Sequence, residues 1–136
     1  MKAIIALLFM LFLIQELHAQ SAIINIVINN VQAGKGNIVI KLFNTQESWF
    51  KKEFIKKTIK ADQSSMTISL EVPAGIYGVA IFQDLDSDGE LKFGMFKVPK
   101  EPVAFGNNFK PTMSAPTFKD CAVTVNGNTT ITLKLY

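Results

Sequence analysis

The chain has 136 residues, of which 49% are hydrophobic, 18% charged and 10% aromatic, and its formal net charge is +3. So mild a balance singles out no polyanionic partner, and a single cysteine excludes an internal disulfide. Every basic side chain is a lysine and the one histidine is His18, which removes much of the usual catalytic chemistry.

Met1 and Lys2 make a short positive start, and the apolar run AIIALLFMLFLI follows. That run is shorter than the roughly 20 residues a spanning helix needs and has the proportions of a secretory leader. Leu17 and Ala19 suit the third and first positions before a cleavage site. Residues 1–19 are therefore expected to be a signal peptide and residues 20–136 a single exported domain. No cysteine stands at the cleavage point to carry a lipid, and no second long apolar segment follows. The expected location is secreted or periplasmic, with no membrane span after signal removal. Loss of Lys2 and Glu16 with the leader leaves the net charge at +3 and takes away His18.

Beyond the leader the chain reads as strands. AIINIVINNV is rich in β-branched residues, and QAGKGN separates it from IVIKLF, which predicts a hairpin. In the segment NTQESWFKKEFIKKTIKADQS, Phe50 and Phe54 are four apart, as are Lys52, Lys56 and Lys60. This spacing predicts one or two helical turns with an apolar face on the sandwich and lysines in solvent. Lysines interleaved with Trp49, Phe50 and Phe54 also suit nucleic-acid stacking, but an exported chain of mild charge gives no reason to expect nucleic acid. A lysine patch on anionic lipid or polysaccharide is the version of that reading compatible with export.

MTISLEV alternates, with Met66, Ile68, Leu70 and Val72 on one side and Thr67, Ser69 and Glu71 on the other. PAG then turns the chain into IYGVAIF, where Tyr77, Val79 and Ile81 can face one way and the small Gly78 and Ala80 the other. KVPKEPVAFGNNFKPTMSAPTF carries Pro99, Pro102, Pro111 and Pro116 and is expected to be a long ordered loop or a short edge excursion. CAVTV and ITLKLY flank NGNT, whose Asn126-Gly127 predicts a second hairpin, with Ile131, Leu133 and Leu135 inward. Cys121 is expected at a buried strand position. These elements predict an all-β, antiparallel two-sheet β-sandwich, immunoglobulin-like or transthyretin-like, of about seven strands, and a monomer.

The chemistry concentrates in QDLDSDGELKFG, immediately after IYGVAIF. Asp84, Asp86 and Asp88 are two apart and Gly89 allows a sharp bend, so the three carboxylates can converge on one hard cation. They occupy positions 1, 3 and 5 of a calcium loop, and Glu90 would add its backbone carbonyl at position 7. Position 12, where an EF-hand supplies a bidentate glutamate, is Met95, and a strand precedes the loop, so this is no EF-hand. The predicted metal set is Asp84, Asp86, Asp88 and Glu90, the metal is calcium, and a further ligand would come from Glu101, Asn107, Asn108 or water. The alternative is a solvated turn between two strands.

With His18 in the leader and no arginine, neither a Ser-His nor a Cys-His pair can be assembled. One cysteine cannot build a zinc site, and the hydrolases of transthyretin-like fold rely on histidine and arginine. A carboxylate pair such as Glu101 and Asp120, or a Ser-Lys dyad, is what remains for catalysis, and no spacing distinguishes these groups from solvated ones. The sequence therefore points to a non-enzymatic binding or structural module of the cell envelope, calcium-stabilised, with an envelope or extracellular partner. The alternatives are a plain β-sandwich adaptor with no metal and a carboxylate-based hydrolase of envelope polysaccharide.

The order of these motifs resembles a family. A glycine-led strand ends in a D-x-D-x-D-G turn, followed by Pro99, Glu101, Phe105-Gly106, Asn107-Asn108 and the stretch PTFKDCAVTV. This succession resembles the exported bacterial family catalogued as domain of unknown function 2141, over roughly residues 24–136. The resemblance implies a secreted or periplasmic single-domain β-sandwich and brings no established activity, ligand or catalytic residue. Members often continue Lys-Leu-Asp after the turn glycine, whereas Glu90-Leu91-Lys92 places a lysine where that later acid would stand. Where members commonly have Gly-Tyr-Gly-Phe-Ser-Asn-Asn, the chain has Pro102-Val103-Ala104-Phe105-Gly106-Asn107-Asn108.

Overall fold

The structure, a computed structural model, describes residues 19–136, so the expected leader, but for Ala19, lies outside the described residues. The strands are β1 (Ser21–Asn29), β2 (Asn37–Phe43), β3 (Ile55–Lys60), β4 (Ser65–Pro73), β5 (Gly75–Asp84), β6 (Val103–Phe105), β7 (Ala122–Val125) and β8 (Asn128–Lys134). One short helix, α1 (Phe118–Cys121), precedes β7.

β4, β1 and β8 form a three-stranded sheet in that order, and β3, β2, β5 and β6 form the larger sheet. β7 shares the β6 edge of β5, pairing Gly75–Gly78 while β6 pairs Ala80–Phe82. The two-sheet β-sandwich predicted from the alternation is therefore present. No immunoglobulin-like type follows from this order, and β8 runs parallel to β1, a departure from a purely antiparallel plan.

The smaller sheet has one apolar side. β1 turns Ala22, Ile24, Ile26 and Ile28 inward, and its register sets Ile24 beside Leu70, Ile26 beside Ile68 and Ile28 beside Met66. β8 adds Ile131 and Leu133 opposite Ile26 and Ile28. The opposite side carries polar pairs, Ser69 Oγ to Asn25 Oδ1 at 2.5 Å and Ser65 Oγ to Asn29 Oδ1 at 2.7 Å. These keep that face compatible with water.

The larger sheet is buried on both sides along β2 and β5, while its edge strand β3 stays largely exposed. Ile38, Ile40 and Leu42 of β2 join Tyr77, Val79 and Ile81 of β5 in the core between the sheets. Val39, Phe43, Ala80, Phe82, Val103 and Phe105 form a second cluster on the outer face. Loops cover that face: Trp49 packs edge-on to Phe43 at 5.0 Å between ring centroids and to Phe118 at 6.1 Å. Gly78 makes this possible, because a Cβ there would meet the Trp49 ring at 2.7 Å and the Phe118 ring at 2.8 Å.

Four local expectations are corrected. β1 and β2 make no hairpin, and neither do β7 and β8; in both cases the chain passes from one sheet to the other. Alternation with a glycine turn cannot separate a hairpin from such an arch, since both bury the same face. The first arch is pinned by Gln83, fully buried, whose Oε1 accepts from Gln32 N at 2.9 Å and whose Nε2 donates to the Gln32 and Lys35 carbonyls at 2.8 and 2.7 Å. In the second arch Ile23 N donates to Gly127 O at 2.9 Å.

The helical turns expected around Phe50 and Phe54 give way to a turn and then β3, which pairs with β2. A spacing of four is even and so fits a strand face as well as a helix face, and Ile55, Thr58 and Ile59 are β-branched. Lys56 and Lys60 thus stand on one side of an edge strand. Cys121 is buried as expected, but it closes α1 instead of belonging to a strand. The proline-rich segment does hold a short edge excursion, β6.

Candidate metal centre

β5 ends at Asp84, and the next residues fold back on that carboxylate. Asp84 is buried, its Oδ2 accepting from Gly89 N at 2.8 Å and its Oδ1 from Asp88 N at 3.2 Å. Asp86 Oδ1 accepts from Asp88 N at 3.3 Å, and Asp88 Oδ1 from Glu90 N at 2.9 Å. Gly89 takes φ +79°, a backbone state that glycine adopts without strain, so the loop closes within five residues of the strand end. A second glycine is required beside it. A Cβ on Gly36 would lie 1.9 Å from the Asp84 carbonyl oxygen, so the β1–β2 arch can approach the turn only as glycine.

The three predicted aspartates are thereby brought together. One carboxylate oxygen from each of Asp84, Asp86 and Asp88 lies within 4.8 Å of the others. Glu90 donates its N–H to Asp88 Oδ1, and its side-chain carboxylate, as distinct from the backbone carbonyl expected to serve as the ligand, does not join the three. Lys92 approaches from the loop beyond, its Nζ 2.6 Å from Asp86 Oδ2 and 2.5 Å from Asp88 Oδ2, with its side chain half exposed. The Lys92 hydrogen bond holds the Asp86 carboxyl down to about 2, and the two aspartates, Asp86 first, push the lysine amine above its ordinary range. Asp84 has no cation in ion-pair contact among the described residues.

Of the proposed extra ligands, the structure brings in Glu101 alone. Its Oε1 accepts from Leu85 N at 2.9 Å, between two of the aspartates, and the residue is 8% exposed. Its Oε2 is the single buried side-chain oxygen or nitrogen without a hydrogen-bond partner among the described residues. Burial, and then the charges of Asp86, Asp84 and Asp88, raise its pKa, while the Leu85 bond opposes them. Glu101 is likewise outside the convergent set.

Asn107 and Asn108 are engaged elsewhere. Asn107 Nδ2 donates to the Asp120 and Ala122 carbonyls at 3.1 and 2.9 Å. Asn108 bridges to β8 through Thr132 O at 2.8 Å and Lys134 N at 2.9 Å. Asp120 caps α1, its Oδ2 accepting from Thr117 N at 2.9 Å and Thr117 Oγ1 at 2.7 Å. It therefore serves the local fold, away from Glu101's role on the acidic turn.

The model of the uncharacterised proteins conserved in bacteria, DUF2141, matches residues 26–132. The chain belongs to this family. The DUF2141 match runs from within β1 to within β8, so it takes in both sheets, the acidic turn and Glu101. No curated protein and no solved structure matches the chain.

Two residues of this DUF2141 site escape a reading of patterns. Lys92 carries no signal in the spacing of the aspartates, yet it is the turn's counter-ion. Gln83 supports the site from the opposite side of β5, and its one signal is a lone amide ending an apolar run.

Proposed function

We propose that the protein is a non-enzymatic binding module of the cell envelope, exported and stabilised by calcium at its acidic turn. The observation that carries the metal is an excess of convergent negative charge. Three carboxylates meet within 4.8 Å, and Glu101, tied to the same turn, leaves a buried oxygen without a partner. Against them stand one paired ammonium, Lys92, and Lys56, whose Nζ donates to Gly89 O at 3.5 Å without pairing a carboxylate. A divalent ion offers the missing charge and takes oxygen ligands, with water completing the shell. Calcium in the turn also relieves the repulsion on Glu101 whether or not that residue ligates.

The non-enzymatic part is supported by the residue inventory and by Asp120's use as a helix cap. Export is supported by the leader pattern. Mass analysis of the protein recovered from envelope or medium should find a chain beginning at or near Gln20, and full-length protein in the membrane fraction would overturn export. Among the described residues no helix is long and apolar enough to cross a membrane.

One observation favours a second reading, a turn that needs no metal because Lys92 already fills it. Calorimetric titration with calcium beside Lys92→Gln and Asp86→Asn variants separates the two. On the calcium reading, affinity in the ~10⁻⁴ to 10⁻³ M range of extracellular modules is expected. Calcium at tenfold its Kd then stabilises the fold by about 1.4 kcal/mol, Lys92→Gln binds more tightly and Asp86→Asn more weakly. No heat and no shift in Tm at about 10 mM calcium leaves the lysine-neutralised turn.

A further inference from the structure

We propose that the outer face of the larger sheet binds a single-chain anionic amphiphile of the fatty-acid class, its aliphatic part in an apolar cavity and its head group on Lys41. The cavity measures about 550 Å³, within the span of small-molecule sites and of a size for one chain in place of a phospholipid's two. Its floor is the sheet itself, where Ala80 of β5 lies between Lys41 of β2 and Phe105 of β6. The small side chain of Ala80 leaves the depression. Walls come from two loops, the stretch that leaves the acidic turn (Leu91 to Pro99) and Pro111 to Pro116.

The apolar surface left exposed is concentrated here. Eleven large hydrophobic side chains are exposed among the described residues, and six of them line this one cavity. Scattered apolar residues on a surface are ordinary, whereas a group gathered around a concavity marks a binding site. Phe96 and Met113, one from each loop, are 92% and 97% exposed, so they are free to fold over an occupant. Phe96 and Lys97 both hold left-handed backbone, at φ 58° and 57°, a state that non-glycine residues seldom adopt.

Charge decides the class of ligand. Lys41 is half-buried, its neighbours across this face are Lys56 and Ala80, and no carboxylate among the described residues is in ion-pair contact with it. An ammonium in apolar surroundings gains most from an anionic partner. Lys97 adds a second positive charge to the lining, and Glu90 is the one acidic side chain there. A carboxylate head is favoured and a cationic one opposed. None of this requires calcium at the neighbouring turn.

The test is calorimetric titration of the purified chain with dodecanoate below its micellar concentration, beside methyl dodecanoate and dodecyltrimethylammonium. Saturable 1:1 binding of dodecanoate is expected, with the ester weaker by about tenfold and the cation not binding. Lys41→Gln should lose that tenfold preference, and Ala80→Leu, which fills the floor, should abolish binding while Tm is retained. The head-group series on the unmodified protein carries the charge test should a variant fail to fold. No heat with dodecanoate, or equal binding of all three probes, overturns the proposal. So does binding to anionic phospholipid vesicles without binding to free dodecanoate, which would make the face a membrane contact. Self-association that covers the face and excludes dodecanoate would likewise overturn it.

Discussion

The two faces of the larger sheet are built from one alternating strand and end up as different kinds of surface. β5 sends Tyr77, Val79, Ile81 and Gln83 into the space between the sheets, where facing strands supply a matched layer and Gln83 has all its bonds. Its outward residues Gly78, Ala80, Phe82 and Asp84 meet loops. Along that side an aromatic lid on Gly78 gives way to an open cavity over Ala80 and then to a charged turn at Asp84. A sheet laid on a sheet is periodic on both sides and fills its gaps. Loops have no such period, so the face they cover retains voids, unpaired oxygens and exposed rings, and those are the features a ligand uses.

The sharpest break of this comparison pairs Ile81→Ala with Phe96→Ser. The first empties a closed interior and should cost about 2–5 kcal/mol in urea unfolding, while the second should stay within about 0.5 kcal/mol. Equal losses would erase the distinction between the faces. Gly78→Ala tests the lid, since its methyl must displace the rings of Trp49 and Phe118. A loss of about 1–3 kcal/mol is expected. Trp49 is the sole tryptophan, so its emission should shift to the red, and unchanged emission would mean that the ring does not lie on Gly78.

A smaller effect distinguishes the two ends of the acidic turn by pH. The folded pKa of Glu101 is raised above its ordinary 4.5, so the stability it permits is fully present below that value and is lost as pH rises through the folded pKa. Without calcium, Glu101→Gln should therefore melt above the unmodified protein at neutral pH, the gap closing below pH 4.5. Asp86 has the opposite sign. Its pKa drops from 3.8 to about 2, so Asp86→Asn should melt lower at neutral pH and the deficit should vanish as pH falls through that interval. Two gaps independent of pH would refute both assignments. The smallest change is chemical: burial pushes the Cys121 thiol up to about 12, so thiol reagents should leave it untouched at about pH 8 until denaturant is added.

What the sequence discloses is the face each residue takes, because a period of two is a local property. Ile24, Ile68, Val79 and Leu133 all point where alternation places them. What it conceals is which strands become neighbours. The Asn126-Gly127 signal reads as a hairpin although the chain there changes sheets, and the fourfold lysine spacing around Lys56 fits two periods at once. At the acidic turn the aspartates are legible because they are close in sequence. Glu101 is visible only as one of three candidates, and Gln83's clamp on Gln32 and Lys35 depends on an arch that no local pattern specifies.

The parallel pairing of β1 with β8 has a consequence for the order of events in folding. β1 is the central strand of its sheet, yet Ile23 must wait for Asn128 and Asn29 for Lys134 before its second edge is covered. Contacts so distant along the chain form slowly. Until they do, IINIVIN, β-branched and without a charge, offers bare backbone donors and acceptors to any other chain in the same state, the arrangement from which intermolecular sheets grow. A chain cut after Val125 would not merely be shorter. Its central strand would become a permanent edge, and aggregation during refolding, rising with protein concentration, is the outcome to expect from it.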